Sequence, residues 1–582
     1  MNSPIRKPSA SLCTEDMMTC LYNNLLAYVW HRMAKHIFKC HREEDAKRKR
    51  ESENKQNVED QTESWDNENY LNKNKQNAED QEESWDNENY LTENKQNVND
   101  QDESWDNDDY LTENKQNSEN EEECWDNESY LICMQFIRLP HMDEDYVIGE
   151  EDCLYLTVYT AHLNASFDVV VYIHGGDFAT GYASVYEPDY FIDKNIVFVN
   201  LNYRLGPLGW FLSTEDDVVP GNNGLKDQIL ALKFIKKYIR HFGGNPDSIT
   251  LFGDGTSVNF HYLSPQSRGL FHRGWSMSGT MLVPWALMEQ PLAQTKKLAT
   301  VVGCGTDGTM IKCLKSRPAR QITVTIPEYQ AWWYLPFAQF APVVDSWATQ
   351  PVLSAHPYQM IKNQQVYDVL WIVSFTNSEG LYAINEIYDN ALLALLDDYW
   401  NEYIPPILYY NYTVDRDLQD EVSQKIRKYY LGEKKLSKRT FRELVAMFSD
   451  RIFINDIPTY ALKFEYRSGN SWFGLETETG RNFGAAHADD LLYIFKRDPF
   501  DTSGSQRDRA MVKIFVDLLA SYSHTRIPKV KTMEWLQVPK NATDDLTFLK
   551  IGAPNDVTVE TSVQGSAPFW DSLPIKENEK IP

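Results

Sequence analysis

The chain has 582 residues, 42% hydrophobic and 13% aromatic, enough for one large globular domain with further segments. Its formal net charge of −28 is uneven: residues 1–50 sum to +5, residues 51–130 to −22, and the remaining 452 to −11. This acidity argues against a nucleic-acid partner, because phosphate contacts need a basic surface, and no apolar run is long enough to span a bilayer.

Residues 1–50 form a basic segment of unassigned role, richest in Lys, Arg and His over 36–50, which reads as a solvated linker. No apolar run of a secretory leader is visible; the nearest stretch, Met17 to Trp30, is interrupted by Asn23 and Asn24. Residues 51–130 carry a tandem repeat of period 20. NKQN begins at Asn54, Asn74, Asn94 and Asn114, and Trp-Asp-Asn begins at Trp65, Trp85, Trp105 and Trp125. Each copy closes on Tyr-Leu, from Tyr70 to Tyr130. With about three apolar residues per copy, burial cannot offset the ordering entropy, so the array is expected to be disordered. The alternative is a multivalent ligand whose Trp and Tyr-Leu pairs act as weak stickers. The acidic surroundings of each Tyr would also suit sulfation in a secreted chain.

Residues 131–582 read as one globular domain of alternating strands and helices. Asp168 to Ile173 and Ile196 to Leu201 are short apolar runs of the buried-strand type. Leu225, Ile229, Leu232, Ile235, Ile239 and Phe242 recur at helical steps, and Gly243-Gly244 stops the helix. Ile249 to Phe252 is a further strand. Strands alternating with helices predict an α/β fold with a mostly parallel sheet covered on both faces. The strand at 249–252 leads into Gly253-Asp254-Gly255-Thr256-Ser257. This stands where G-x-S-x-G would lift a nucleophilic serine above such a sheet. The third position, Gly255, has no side chain to attack with.

Cys133/Cys153 and Cys304/Cys313 are two close pairs, readable as short disulfide loops in an oxidising compartment or as free buried thiols. Sequons at Asn127, Asn164, Asn411 and Asn541 are glycosylation candidates. HREED at 41–45 and HADD at 487–490 have weak ligand spacing, so no metal is expected, and no nucleotide cofactor loop stands out.

Several stretches then point to one family: GEEDCLYLTVYT (149–160), VYIHGGDF (171–178), NYRLGPLGWF (202–211), GNNGLKDQILAL (221–232), FGGNPDSITLFGDGTS (242–257), PQSRGLFHRGWSMSG (265–279) and GAAHADDLLYIF (484–495). In this order they resemble the type-B carboxylesterase and cholinesterase family over about residues 125–580, and the last resembles its arthropod esterase-like branches. The resemblance implies the α/β-hydrolase fold. It also implies disulfides Cys133–Cys153 and Cys304–Cys313, a secreted or cell-surface location, and homodimerisation through C-terminal helices. Trp125 to Cys133 matches a family segment, so the array reads as its tandem expansion. The family's opening Pro-Pro-x-Gly signature and Arg-Phe pair are missing from residues 1–124.

The family triad maps onto Gly255 at the lost nucleophile position, Glu379 in FTNSEG as the carboxylate and His487 in GAAH as the base. Loss of a triad serine costs about a millionfold in turnover in a well-studied protease. Oxyanion-hole positions map onto the backbone N–H groups of Gly176, Asp177 and Thr256. Asp177 replaces the last glycine of His-Gly-Gly-Gly, and its carboxylate would disfavour a developing negative charge. Ser257 is expected to cap the following helix rather than to substitute as nucleophile. The leading expectation is a catalytically inactive protein acting by extracellular contact with a protein partner. In this it resembles the family's adhesion-type members neurotactin, glutactin and the neuroligins. The alternatives are a non-cleaving binder of a small apolar ester or lipid, and a residual carboxylic ester hydrolase.

Overall fold

The computed structural model describes residues 132–576 apart from 138–145, 211, 333–334, 337, 455–459, 469–470, 472–480, 497–503, 532, 535–545 and 563–565. The basic segment, the repeat array, HREED, Asn127 and Asn541 lie outside the described residues.

Nine strands form the main sheet: β1 (Leu156–Tyr159), β2 (Phe167–Ile173), β3 (Ile196–Leu201), β4 (Gly244–Asp254), β5 (Arg273–Met277), β6 (Leu370–Thr376), β7 (Tyr460–Phe464), β8 (Leu546–Ala553) and β9 (Asp556–Ser562). Their order is β9-β8-β7-β6-β5-β4-β2-β3-β1. Only the outermost pairs, β1/β3 and β8/β9, are antiparallel; the six inner pairs are parallel. This is the α/β-hydrolase architecture. The carboxyl ends of β2, β4, β5 and β6 therefore meet at one edge, where open α/β sheets place their ligands.

The inner strands are apolar on both faces because both are covered. Val169, Val171 and Ile173 of β2 join one core with helix α1 (Asn223–Tyr238), through Leu225, Ile229, Leu232 and Ile235. Val170 and Tyr172 join the opposite core, with Phe515, Leu518, Leu519 and Tyr522 of the long helix Gln506–Thr525. The period of two along the strand thus sorts one run into two cores.

The expected helix ends as its sequence indicates. A 3₁₀ turn over Ile239–Phe242 follows α1, and Gly243 takes φ 76°. A Cβ there would sit 2.0 Å from the His162 carbonyl oxygen, so both conformation and space demand glycine. The strand expected at 249–252 is longer. It runs over 244–254 because pairing with β2 and β5 continues to Gly253 and Asp254. Cys133–Cys153 and Cys304–Cys313 are both disulfides. Asn164 is exposed and Asn411 half-buried. Among the described residues no helix is long and apolar enough to cross a membrane.

Leu232 is fully buried while Leu230, on the outer face of α1, is 62% exposed. Leu232→Ala should cost about 2–5 kcal/mol of stability and Leu230→Ala less than about 0.5 kcal/mol. Urea unfolding of the two variants checks this, and equal costs would mean α1 packs through another face.

Candidate functional site

The nucleophile position lies where β4 passes into helix α2 (Gly255–Leu263). In the esterase motif this turn holds its serine in a strained conformation. Here Gly255 is the first residue of a right-handed helix, and the unusual backbone belongs to Gly253, at φ 135°. A Cβ at Gly255 would stand 2.4 Å from the carbonyl oxygens of both Met277 and Gly279. Those atoms are backbone, so the turn has closed over the space a serine would need.

Asp254 is the N-cap of α2, its Oδ1 accepting from the Ser257 backbone N–H at 2.8 Å. The expectation that Ser257 caps this helix is therefore corrected: its hydroxyl is fully buried and shares hydrogen bonds with the Gln228 side chain. The Gln228 oxygen also meets His261 Nε2 at 2.8 Å. Held in that network, Ser257 is not placed to attack a ligand. Thr256 is fully buried and outside the cavity lining.

The other two triad positions do come together. His487 Nδ1 lies 2.7 Å from Glu379 Oε2. Glu379 is fully buried, and its Oε1 accepts from the Thr376 N–H at 2.6 Å and the Ser278 hydroxyl at 2.8 Å. Burial opposes a charged imidazole at His487. The charge and hydrogen bond of Glu379, with the charges of Asp177 and Asp490, outweigh it and raise the pKa.

A cavity of about 270 Å³ opens beside this pair. Gly176, Asp177, Asp254, Ser278, His487 and Asp490 line it, with an aromatic wall that includes Tyr172, Tyr186, Trp285 and Phe453. Asp177, Ser278 and Ala488 hold left-handed φ values of 58°, 55° and 65°. Each costs about 1–3 kcal/mol in a residue with a Cβ. At the oxyanion-hole position, the Asp177 carboxylate faces inward and accepts a hydrogen bond from the Tyr382 hydroxyl. Burial pushes the Asp177 carboxyl up to about 7 and that of Asp254 up to about 6. Asp254 Oδ2 lies 3.5 Å from where a Gly175 Cβ would be, so a second carboxylate crowds the same loop.

In the sequence Asp490 stands out only as part of HADD. Its neighbour Asp489 is fixed by Arg467 at 2.7 Å and by the Ala486 N–H at 2.8 Å. Asp490 is fully buried, and neither carboxyl oxygen has a hydrogen-bond partner. Burial and then the Glu379 charge push it up to about 7. The two adjacent acids look alike in sequence; only their opposite directions in the fold separate them. Among the described residues no group of three His, Cys, Asp or Glu side chains is arranged to hold a metal ion.

The unfolded chain releases the Asp490 proton near 3.8, the folded chain near 7. Folding takes up a proton between those values, and the stability of the neutral form is lost as pH rises through that window. His174 and His261, pushed down to about 4 and 3 by burial, act in the opposite direction. Comparison with Asp490→Asn cancels their effect. Wild type should lose several degrees of melting temperature relative to this variant as pH rises from about 5 to about 8. Parallel pH curves would show that Asp490 ionises normally.

The carboxylesterase family profile matches residues 127–570. Venom carboxylesterase-6 of Apis mellifera is 37% identical over 472 residues, covering 77% of this chain and 84% of that one. Esterase FE4 of Myzus persicae is 36% identical over 434 residues, covering 70% and 76%. The crystal structure of juvenile hormone esterase from Manduca sexta aligns with a TM-score of 0.64 at 22% identity, over 76% of this chain and 87% of that one. That likeness supports the fold. With the profile covering most of its length and relatives above 30% identity, this chain belongs to the carboxylesterase family.

Proposed function

We propose that this protein works by binding and does not hydrolyse esters. The observation that carries the reading is the turn at Gly255: no nucleophile stands there, and two backbone carbonyl oxygens lie 2.4 Å from where its Cβ would be. Two carboxylates beside the oxyanion loop work in the same direction, since they would repel the charge that ester hydrolysis develops. The esterases named among its relatives are therefore a guide to its scaffold rather than to its reaction.

The finer reading places the protein outside the cell, in contact with a protein partner of the adhesion or matrix kind. Two disulfides and the exposed sequon at Asn164 fit that setting. The surface observation favouring a contact is on α1. Leu230 and Phe234, one helical turn apart, are 62% and 44% exposed, and the Phe234 ring packs 4.8 Å from Tyr238.

The test is turnover of p-nitrophenyl butyrate by wild type and by Gly255→Ser. Wild type should be silent. The variant should stay silent too and lose about 1–3 kcal/mol or more of stability, because the added atoms meet fixed backbone. Turnover by wild type that His487→Ala abolishes would overturn the reading. Turnover gained by Gly255→Ser would show that the site lacks only its nucleophile.

A further inference from the structure

Two cavities share one wall. The first, of about 270 Å³, is the cavity beside His487. The second, of about 280 Å³, is lined by Met288, Tyr329, Tyr409 and Thr413. Trp285 is buried and lines both, so its indole forms part of the wall between them. The Nε1–H of that indole donates to the Ile452 carbonyl oxygen at 3.0 Å, and its ring lies 6.2 Å from the ring of Phe453.

Ile452 and Phe453 belong to a π-helix, Asp450–Ile454, that continues the helix Phe441–Ser449. Such turns are rare and gather at functional sites. Its last residues serve the wall between the cavities, while its first two hold a segment far along the chain. The buried Asp450 carboxylate accepts at Oδ2 from the hydroxyls of Ser566 and Tyr430, both at 2.8 Å. The Arg451 guanidinium lies 5.5 Å from the ring centre of Trp570. Trp570 is buried and donates to the Tyr430 hydroxyl at 2.8 Å, and the Phe569 ring stacks on Tyr429 at 3.9 Å.

The same segment also reaches the second cavity. The Lys576 N–H donates to the Thr413 carbonyl oxygen at 2.9 Å, and Leu573 and Ile575 are buried on the way. One short stretch is thus fastened beside a wall of each cavity.

We propose that Ser566–Lys576 is a strap that sets the wall between the two cavities, and that its release frees Trp285 and joins them into one larger binding space. The π-helix supplies the second state. Relaxation of its wide turn to α-helical bonds rotates the following residues by about 100°, which takes the Ile452 carbonyl away from Trp285. Asp450 and Arg451, tied to the strap, oppose that relaxation. The inference goes beyond the binding reading above and stands whether or not esters are turned over, because it concerns the wall and not the reaction.

The experiment is fluorine NMR of the full chain labelled with 5-fluorotryptophan, the Trp285 line being assigned by its loss in Trp285→Phe. Trp570→Ala should shift the Trp285 line and leave that of Trp371, buried in the main sheet, in place. Hydroxy-TEMPO, a nitroxide of ligand size, should broaden the Trp285 line at least about threefold more in this variant than in wild type, as an opened pocket requires. Ser566→Ala, which removes one donor to Asp450 and keeps Trp570, should change both readouts in the same direction by less. Leu232→Ala, destabilised in α1 away from the strap, should change neither. An unmoved Trp285 line in folded Trp570→Ala would overturn the proposal, and Ser566→Ala decides alone if that variant does not fold. An equal change in Leu232→Ala would overturn it as general loosening. A shifted line without added broadening would show that the cavities stay apart, and would overturn it too.

Discussion

The site's organisation depends on how closely the start of α2 packs against the chain leaving β5. The carbonyl oxygens of Met277 and Gly279 reach to within 2.4 Å of where a side chain at Gly255 would begin. Because β4 and β5 pair in parallel up to Asp254 and Met277, their ends are locked to each other by the sheet. The turn has no freedom to swing outward without breaking that ladder. Residue 255 is thus glycine for a packing reason, and the helix begins without the strain of an esterase elbow. The cap supplied by Asp254 follows from the same arrangement, since its backbone at φ −47° and ψ 117° places the carboxylate on the free N–H of Ser257.

Around that turn the remaining polar groups are held as a unit. Glu379 is the hub: the Thr376 N–H, the Ser278 hydroxyl and His487 all converge on one buried carboxylate. Removing any partner would leave a charge short of donors in a region with little water, a loss of several kcal/mol in comparable pairs. This gives Glu379 and His487 a structural role independent of any reaction. The left-handed residues Asp177, Ser278 and Ala488 are different. Their backbone conformations cost free energy, and all three line the cavity. Strain gathered at one cavity is the mark of a shaped site.

Much of the fold was legible in the sequence because the signals were local and physical. The runs at 168–173 and 196–201 are strands, and the helical steps from Leu225 to Ile239 are buried as the period requires. Each of these depends on residues a few positions apart. Gly255, Glu379 and His487 were placed through family motifs. The structure brings Glu379 and His487 into contact across 108 positions, a pairing that no local pattern encodes. What stayed hidden was direction. HADD contains two adjacent acids, one paired to Arg467 and one fully buried with no hydrogen-bond partner for its oxygens. Likewise Asp254 and Ser257 both suit an N-cap by residue type, and only the backbone decides which one serves. The closure at Gly255 is invisible in the motif, because the atoms that fill the space come from Met277 and Gly279.

That closure acts as an evolutionary ratchet. In an open elbow, one codon change from glycine back to serine would return the nucleophile. Here the same change meets the carbonyl oxygen of Met277, at the end of the parallel ladder, and that of Gly279 just beyond it, with the acids Asp177 and Asp254 beside the same cavity. Reversion needs coordinated changes in β4, β5 and the loop after β2, none of which helps alone.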